Sequence, residues 1–297
     1  MNILMTGGTG MIGRALCQQL HSQGHSISVL SRTPDKVPAL CKGATGFSSL
    51  AQLNDQPPFD AVINLAGAPI ADRRWSASRR QQLRDSRIQL TSALVEWMKQ
   101  QSSPPSVLIS ASATGWYGNR GDELLDEHSR SEADDFASQL CQEWEQTAQQ
   151  ASGCSRVVLL RIAPVLAQQG GMLARLRLPF SLGLGGRLGN GQQWMPWIHL
   201  HDLVRLIDHL LHQTDSKGIY NACAPQAVTN AEFTRCLAAV LKRPAVLPVP
   251  AWVLRQLLGE MSILLLGGQN LRPVRTSSSG FDWQYKELSL ALEQCLG

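Results

Sequence analysis

Short apolar runs alternate with amphipathic stretches through the first half of the chain, the pattern of a parallel β-sheet covered by helices on both faces. Apolar runs predict strands at Asn2 to Met5, Ser26 to Leu30, Ala61 to Leu65, Val107 to Ser110 and Arg156 to Ile162. Between them, apolar positions spaced by three and four predict helices at about Ile12 to Gln23, Arg79 to Gln101 and Ala133 to Gln150. In the last of these, Phe136, Ala137, Leu140, Cys141, Trp144 and Ala148 share one face, Ser131 with Asp134 supplies a capping-box start, and Gly153 follows the end. After about Leu166 the texture changes, with glycines crowded between Gly183 and Gly191 and prolines at Pro179, Pro196, Pro225, Pro244, Pro248 and Pro250. Helical patterns persist there at Leu203 to His212, Asn230 to Leu241 and Trp252 to Leu258. The expected architecture is a doubly wound α/β domain over residues 1–165 and a smaller, substrate-binding C-terminal lobe over residues 166–297, with residues 200–225 returning to the first domain's sheet.

The first predicted strand runs directly into Gly8-Thr9-Gly10-Met11-Ile12-Gly13, a G-x-G-x-x-G string that opens an amphipathic helix. In that context the glycines allow a tight turn, close backbone approach to a pyrophosphate and tight helix–strand packing, while the helix N-terminus offers unpaired N–H groups to the phosphates. This is the dinucleotide fingerprint of a Rossmann-type sheet. An NAD-specific site places an acid at the end of the second strand, where it bonds the ribose 2′-hydroxyl. Here that end reads Ser31-Arg32, a hydroxyl and a guanidinium suited to a 2′-phosphate, so NADP(H) is favoured; the plain alternative is that Arg32 is an ordinary solvated residue.

Thr6 to Gly13, Asn64-Leu65-Ala66-Gly67 and Ser110-Ala111-Ser112 together resemble the extended short-chain dehydrogenase/reductases of the NAD(P)-dependent epimerase/dehydratase family. The strings AGAPIADRRW (Ala66 to Trp75), CQEWE (Cys141 to Glu145), PFSLGLGGRLGNG (Pro179 to Gly191), WMPWIHLHD (Trp194 to Asp202) and YNACAPQAVTNAE (Tyr220 to Glu232) extend the resemblance over nearly the whole chain, to an atypical branch, the epimerase-family proteins of the YfcH type. The resemblance implies that Gly7, Gly10, Met11, Ile12 and Gly13 line the pyrophosphate and that Ser31 and Arg32 meet the 2′-phosphate. It places Leu65, Ala66 and Gly67 beside the adenine-side ribose, with Arg87 and Val165 as further cofactor contacts; Arg87 also reads as a surface helix residue. It further implies a homodimer built through the two long helices.

The superfamily's acid/base is a Tyr followed four residues later by a Lys, which lowers the phenol's pKa. None of the three tyrosines has that Lys, and Ala137 and Cys141 occupy the two places on the helix where the pair belongs. Ser112 remains as the hydroxyl expected to bond a substrate carbonyl, with Tyr117 as the proton donor; the bland readings are a turn hydroxyl and a packed phenol. Thr114, Gln193 and Trp194 are the expected substrate contacts, the last two on the rim of a Gly-rich loop that reads either as a mobile lid or as a crossing between lobes.

Composition narrows the class. Of 297 residues 43% are apolar and 17% charged, and that charged share, below the ~25% of an average soluble chain, fits a compact globule rather than a disordered one. Lys and Arg number 27 against 23 acids, with no run of five like charges, so neither nucleic acid nor a membrane surface is an expected partner. Seven scattered cysteines without a CxxC pair read as reduced thiols. With no basic n-region before Gly7, a cytoplasmic location is expected. His199-Leu200-His201-Asp202 lacks a third ligand cluster, so no metal is expected and Asp202 reads as a helix cap. The sequence supports an NADP(H)-binding oxidoreductase or epimerase acting on a small carbonyl or hydroxyl compound, with a non-catalytic NADP-binding regulator or scaffold as the alternative.

Overall fold

In the computed structural model, which describes residues 1–297, seven strands form one all-parallel sheet: β1 (Asn2–Thr6), β2 (Ser26–Leu30), β3 (Ala44–Phe47), β4 (Ala61–Asn64), β5 (Val107–Ala113), β6 (Arg156–Ile162) and β7 (Gly218–Ala222). Their order across the sheet is β7-β6-β5-β4-β1-β2-β3. The order reverses between β1 and β4, and in such sheets the crevice outside the strands' carboxyl ends at that reversal is where ligands bind.

Strand alternation feeds two apolar layers. Ile3, Met5, Ile63 and Ile109 join Leu16 and Leu20 of helix α1 (Met11–Ser22) on one face, while Leu4, Val62 and Leu108 meet Leu94, Val95 and Met98 on the other. The predicted helix Arg79 to Gln101 is two helices, α2 (Ala77–Arg84), capped by Ser76, and α3 (Leu90–Gln100), joined by a π-helical turn at Asp85–Gln89. Helix α4 (Phe136–Gln149) starts three residues later than expected, because Asp135, not a Ser131–Asp134 box, caps it: Asp135 Oδ1 accepts from the amides of Ala137 (2.9 Å) and Ser138 (3.1 Å).

The C-terminal region adds α5 (Gly171–Ser181), α6 (Leu200–His212), α7 (Asn230–Leu241), α8 (Ala251–Leu258) and α9 (Leu288–Leu296). Phe180 of α5, Phe233 and Leu237 of α7, Leu292 of α9 and Trp197 share one core, while α6 packs Leu203, Leu206, Ile207 and Leu210 against the first sheet. The cap of α6 is also a correction. His199 Nδ1 accepts from the His201 amide, and Asp202 lies buried in the first turn, where its carboxylate accepts from the amides of Gln284 and Tyr285, each at 2.9 Å. Strand β3 and helices α5 and α9 had no clear pattern in the sequence; α5 contains Pro179 and begins at Gly171 behind a glycine cap, Gly170, which together blur its period. No helix is long and apolar enough to cross a membrane.

Candidate functional site

The glycines after β1 are required by their surroundings. Gly7 has φ +72°, and a Cβ there would lie 2.6 Å from the carbonyl carbon of Leu65; a Cβ on Gly13 would lie 2.3 Å from the Gly7 oxygen. The loop is therefore packed backbone on backbone, and it closes through the Gly10 amide donating to the Gly7 carbonyl at 3.0 Å. Gly10 caps α1 with no side chain on its first amides and no acid in the first turn, which leaves the helix's positive end open to an anion. Ile12 follows on the same turn, and Met11 packs toward the start of α5, 3.3 Å from where a Cβ on Gly170 would stand. Val165, just beyond β6, presents its carbonyl 3.0 Å from the corresponding point on Gly171.

The loop Leu65-Ala66-Gly67 is tied to that turn by buried polar groups. Thr6 Oγ1 donates to Asn64 Oδ1 at 2.6 Å and accepts from the Ala66 amide at 3.3 Å, and Asn64 Nδ2 donates to Thr91 Oγ1 at 2.9 Å. Arg87 sits on the π-helical turn, whose extra residue re-aims its side chain. Its guanidinium donates to the Ala68 carbonyl at 3.0 Å, lies 5.2 Å from the Trp144 ring centroid, and stands 2.9 Å from where a Cβ on Gly67 would be. Arg87 is thus packed beneath the loop rather than on the surface. At the end of β2, Ser31 Oγ accepts from the Thr33 amide, while Arg32 is exposed. The glycine turn, Leu65 to Gly67, Arg87 and Val165 thus lie close together at the carboxyl edge of the sheet, beside the β1/β4 reversal, and Ser31 and Arg32 follow the neighbouring strand β2.

Beside that carboxyl edge opens a cleft of about 490 Å³, walled by the chain after β5 and β6, by α5 and by the C-terminal lobe. Thr114 lines it, and its hydroxyl has no partner within the chain. Trp194 lines it too, with Nε1 donating to Asp122 Oδ1 at 2.8 Å. Gln193 does not: its amide bridges the carbonyls of Leu188 (3.1 Å) and Leu265 (2.8 Å) and so fastens two wall segments together. The Gly-rich loop is likewise fastened, Gly189 donating to the Val249 carbonyl and Val249 to the Arg187 carbonyl, at 2.8 and 2.9 Å. It is a pinned wall of the cleft, and Trp197 behind it is buried core, 1% exposed.

Ser112 and Tyr117 fall outside the cleft wall. Ser112 Oγ donates to Glu145 Oε1 at 2.6 Å, and Glu145 pairs with Arg161 through two 2.9 Å hydrogen bonds. Burial pulls the Arg161 guanidinium down, but Glu145 offsets this and leaves it raised above its ordinary value. Arg161 stacks 3.3 Å from the Trp116 ring centroid, and its Nη1 is buried without a partner. Tyr117 Oη donates to Asn221 Oδ1 at 2.8 Å inside a small apolar cluster, where burial pushes the phenol up to about 12. Neither hydroxyl is free to serve a substrate in this arrangement. Of the two places left by the missing pair, Ala137 carries no proton, and burial pushes the Cys141 thiol up to about 12. Sequence reasoning missed most of the lining, including Met172, Leu176, Phe180 and Phe233, whose only signal was the apolar stripe of helices with blurred or unremarkable periods.

Residues 3–223 match the NAD dependent epimerase/dehydratase family, and residues 249–295 match a domain of unknown function, DUF1731. The chain is 40% identical to the chloroplastic homolog of epimerase family protein SDR39U1 from Arabidopsis thaliana, over 98% of this chain and 86% of that one. The solved structure of human SDR39U1 (isoform 2) with NADPH superposes with a TM-score of 0.91 at 34% identity, covering 99% of both chains. A nucleoside-diphosphate sugar epimerase from Corynebacterium glutamicum superposes with a TM-score of 0.80 at 30% identity, covering 100% of this chain and 58% of that one. The crevice at the β1/β4 reversal and these matches, which span nearly the whole chain, agree: the chain belongs to the NAD dependent epimerase/dehydratase family.

Proposed function

We propose that the chain is an NADP(H)-dependent oxidoreductase or epimerase acting on a small carbonyl or hydroxyl compound. The observation that carries this reading is the adjacency of a glycine-built dinucleotide crevice and an open apolar cleft lined by a hydroxyl, Thr114, with no partner of its own. Close backbone packing at Gly7 and Gly13 and an α1 N-terminus without a side-chain cap suit a pyrophosphate, and the bound state of human SDR39U1 with NADPH supports the choice of nucleotide. Gly7, Gly10, Met11, Ile12 and Gly13 would hold the pyrophosphate. Ser31 and Arg32 would hold the 2′-phosphate, Leu65, Ala66 and Gly67 the ribose, and Arg87 and Val165 the flanks. When bound, NADP(H) supplies or accepts a hydride.

Thr114 orients the substrate oxygen by a hydrogen bond. In the reducing direction the carbonyl carbon gains the hydride and its oxygen a proton, which comes from solvent, since Tyr117 and Cys141 hold theirs far above neutral pH.

A second reading, a nucleotide-binding regulator without turnover, is favoured by the engaged hydroxyls of Ser112 and Tyr117. Titration of the purified protein with NADPH and NADH, beside Arg32→Ala, tests the shared premise. Tighter NADPH binding that the variant abolishes supports it, and no binding of either nucleotide ends both readings. NADPH oxidation over a panel of ketones and aldehydes then separates the two.

A further inference from the structure

The cleft carries almost no charge. No Lys, Arg or His lines it, and its one carboxylate, Asp135, is occupied in capping α4. Arg175, on the α5 helix beside it, is paired with Asp72 on the outside. The wall is instead mostly apolar, with Met172 and Leu176 from α5, Leu188 from the Gly-rich wall, Phe233 from α7 and Leu265 from the short helix after α8. Its remaining polar side chains, such as Thr114, Asn119, Asn230 and Gln269, are uncharged. Two phosphate charges placed here would lose hydration and meet no cation, a cost of several kcal/mol in a water-poor site.

The apolar surface does not stop at the mouth. Leu184 both lines the cleft and is 58% exposed, and on the same stretch of chain Leu178 and Leu182 are 67% and 65% exposed. Such a concentration of exposed leucines beside a concave apolar site marks a place where apolar ligands enter. We propose that the cleft takes an uncharged, hydrocarbon-rich carbonyl or hydroxyl compound, and not a nucleoside diphosphate sugar. The proposal rests on the reading of the crevice and cleft as a paired nucleotide and substrate site.

The test is competitive binding on the full chain saturated with NADPH, using the uncharged dye Nile red as reporter and 2-undecanone and UDP-glucose as competitors. The ketone displaces the dye, and millimolar UDP-glucose does not. A carboxylate inside the cleft, Leu176→Glu, weakens dye and ketone by about tenfold or more, the equivalent of about 1.4 kcal/mol. Leu290→Glu, on the exposed face of α9 and outside the cleft, leaves both unchanged. Should Leu176→Glu fail to fold, Leu184→Glu at its exposed mouth position carries the same expectation. Displacement by UDP-glucose, absence of dye binding, or equal losses in the inner and outer variants overturns the proposal. Turnover is scored separately: a ketone that binds and is never reduced leaves the ligand class standing and removes the catalytic reading, whereas a bound and converted UDP-sugar does the reverse.

Discussion

Ser112 Oγ donates a hydrogen bond to Glu145 Oε1 at 2.6 Å, in a site where Ser112 is 3% and Glu145 7% exposed. The carboxylate in turn pairs with Arg161, so the hydroxyl expected to bond a substrate carbonyl is engaged within a buried ion pair instead. Breaking a buried pair from one side leaves an unpaired charge, which costs about 3–5 kcal/mol. Arg161→Met and Glu145→Gln are each expected to lower the denaturation midpoint by a free energy of that order, measured in urea, while the double variant recovers much of the loss. Additive losses in the double variant would show that the two residues do not act as a pair.

Gly7→Ala is expected to remove nucleotide binding. The added Cβ meets the Leu65 backbone, and a left-handed residue with a side chain costs about 1–2 kcal/mol before any clash. Gly24→Ala is the matched control, because Gly24 has φ +82° and nothing within 4 Å of the added carbon. Both variants lose stability from strain, and only Gly7→Ala loses NADPH affinity in calorimetry. Equal NADPH affinity in the two would place the nucleotide elsewhere.

Thr114→Val and Ser112→Ala separate a group that touches substrate from one that braces the site. Thr114→Val keeps the shape and removes the only free hydroxyl in the wall beside β5, so kcat for a reducible ketone falls with NADPH affinity unchanged. Ser112→Ala removes a hydrogen bond to a charged acceptor and lowers stability by about 1.5–3 kcal/mol, with the smaller effect on kcat. The reverse pattern in single-turnover kinetics would return Ser112 to the substrate.

The sheet and the glycine turn after β1 were legible because their signals are local. Strand β1, the glycine string and α1 are consecutive, and the packing that demands glycine at Gly13 is with Gly7, six residues away. The cleft was not legible, since its walls come from α5, α7 and the segment near Leu265, which only the folded chain brings together. Tyr117 and Gln193 show the same limit from the other side. Each has a side chain suited to chemistry, and each spends it on a partner distant in sequence, Asn221 for Tyr117 and the Leu265 carbonyl for Gln193. Arg87 became interpretable only through the π-helical turn, a one-residue irregularity that periodicity averages away.

The hydroxyl of Tyr117 makes a prediction in alkaline solution. Burial pushes its pKa up to about 12, with Arg161 pulling more weakly in the other direction, whereas an unfolded tyrosine titrates near ~10. The folded state therefore holds its proton more tightly than the unfolded state. The stability linked to this group is fully present below pH ~10 and is lost as pH rises from there through the folded value. At pH 11 the loss from this one group comes to about 1.4 kcal/mol at one proton per chain. Lysines and other groups titrate over the same range, so the quantity to measure is the difference between wild type and Tyr117→Phe in urea at pH 8 and at pH 11. Wild type is expected to lose more than the variant by roughly that amount, although the variant starts lower for want of the bond to Asn221. Equal losses would mean that the phenol titrates as a solvated group, and Tyr117 would then be open to the cleft and available as the proton donor that its sequence position suggests.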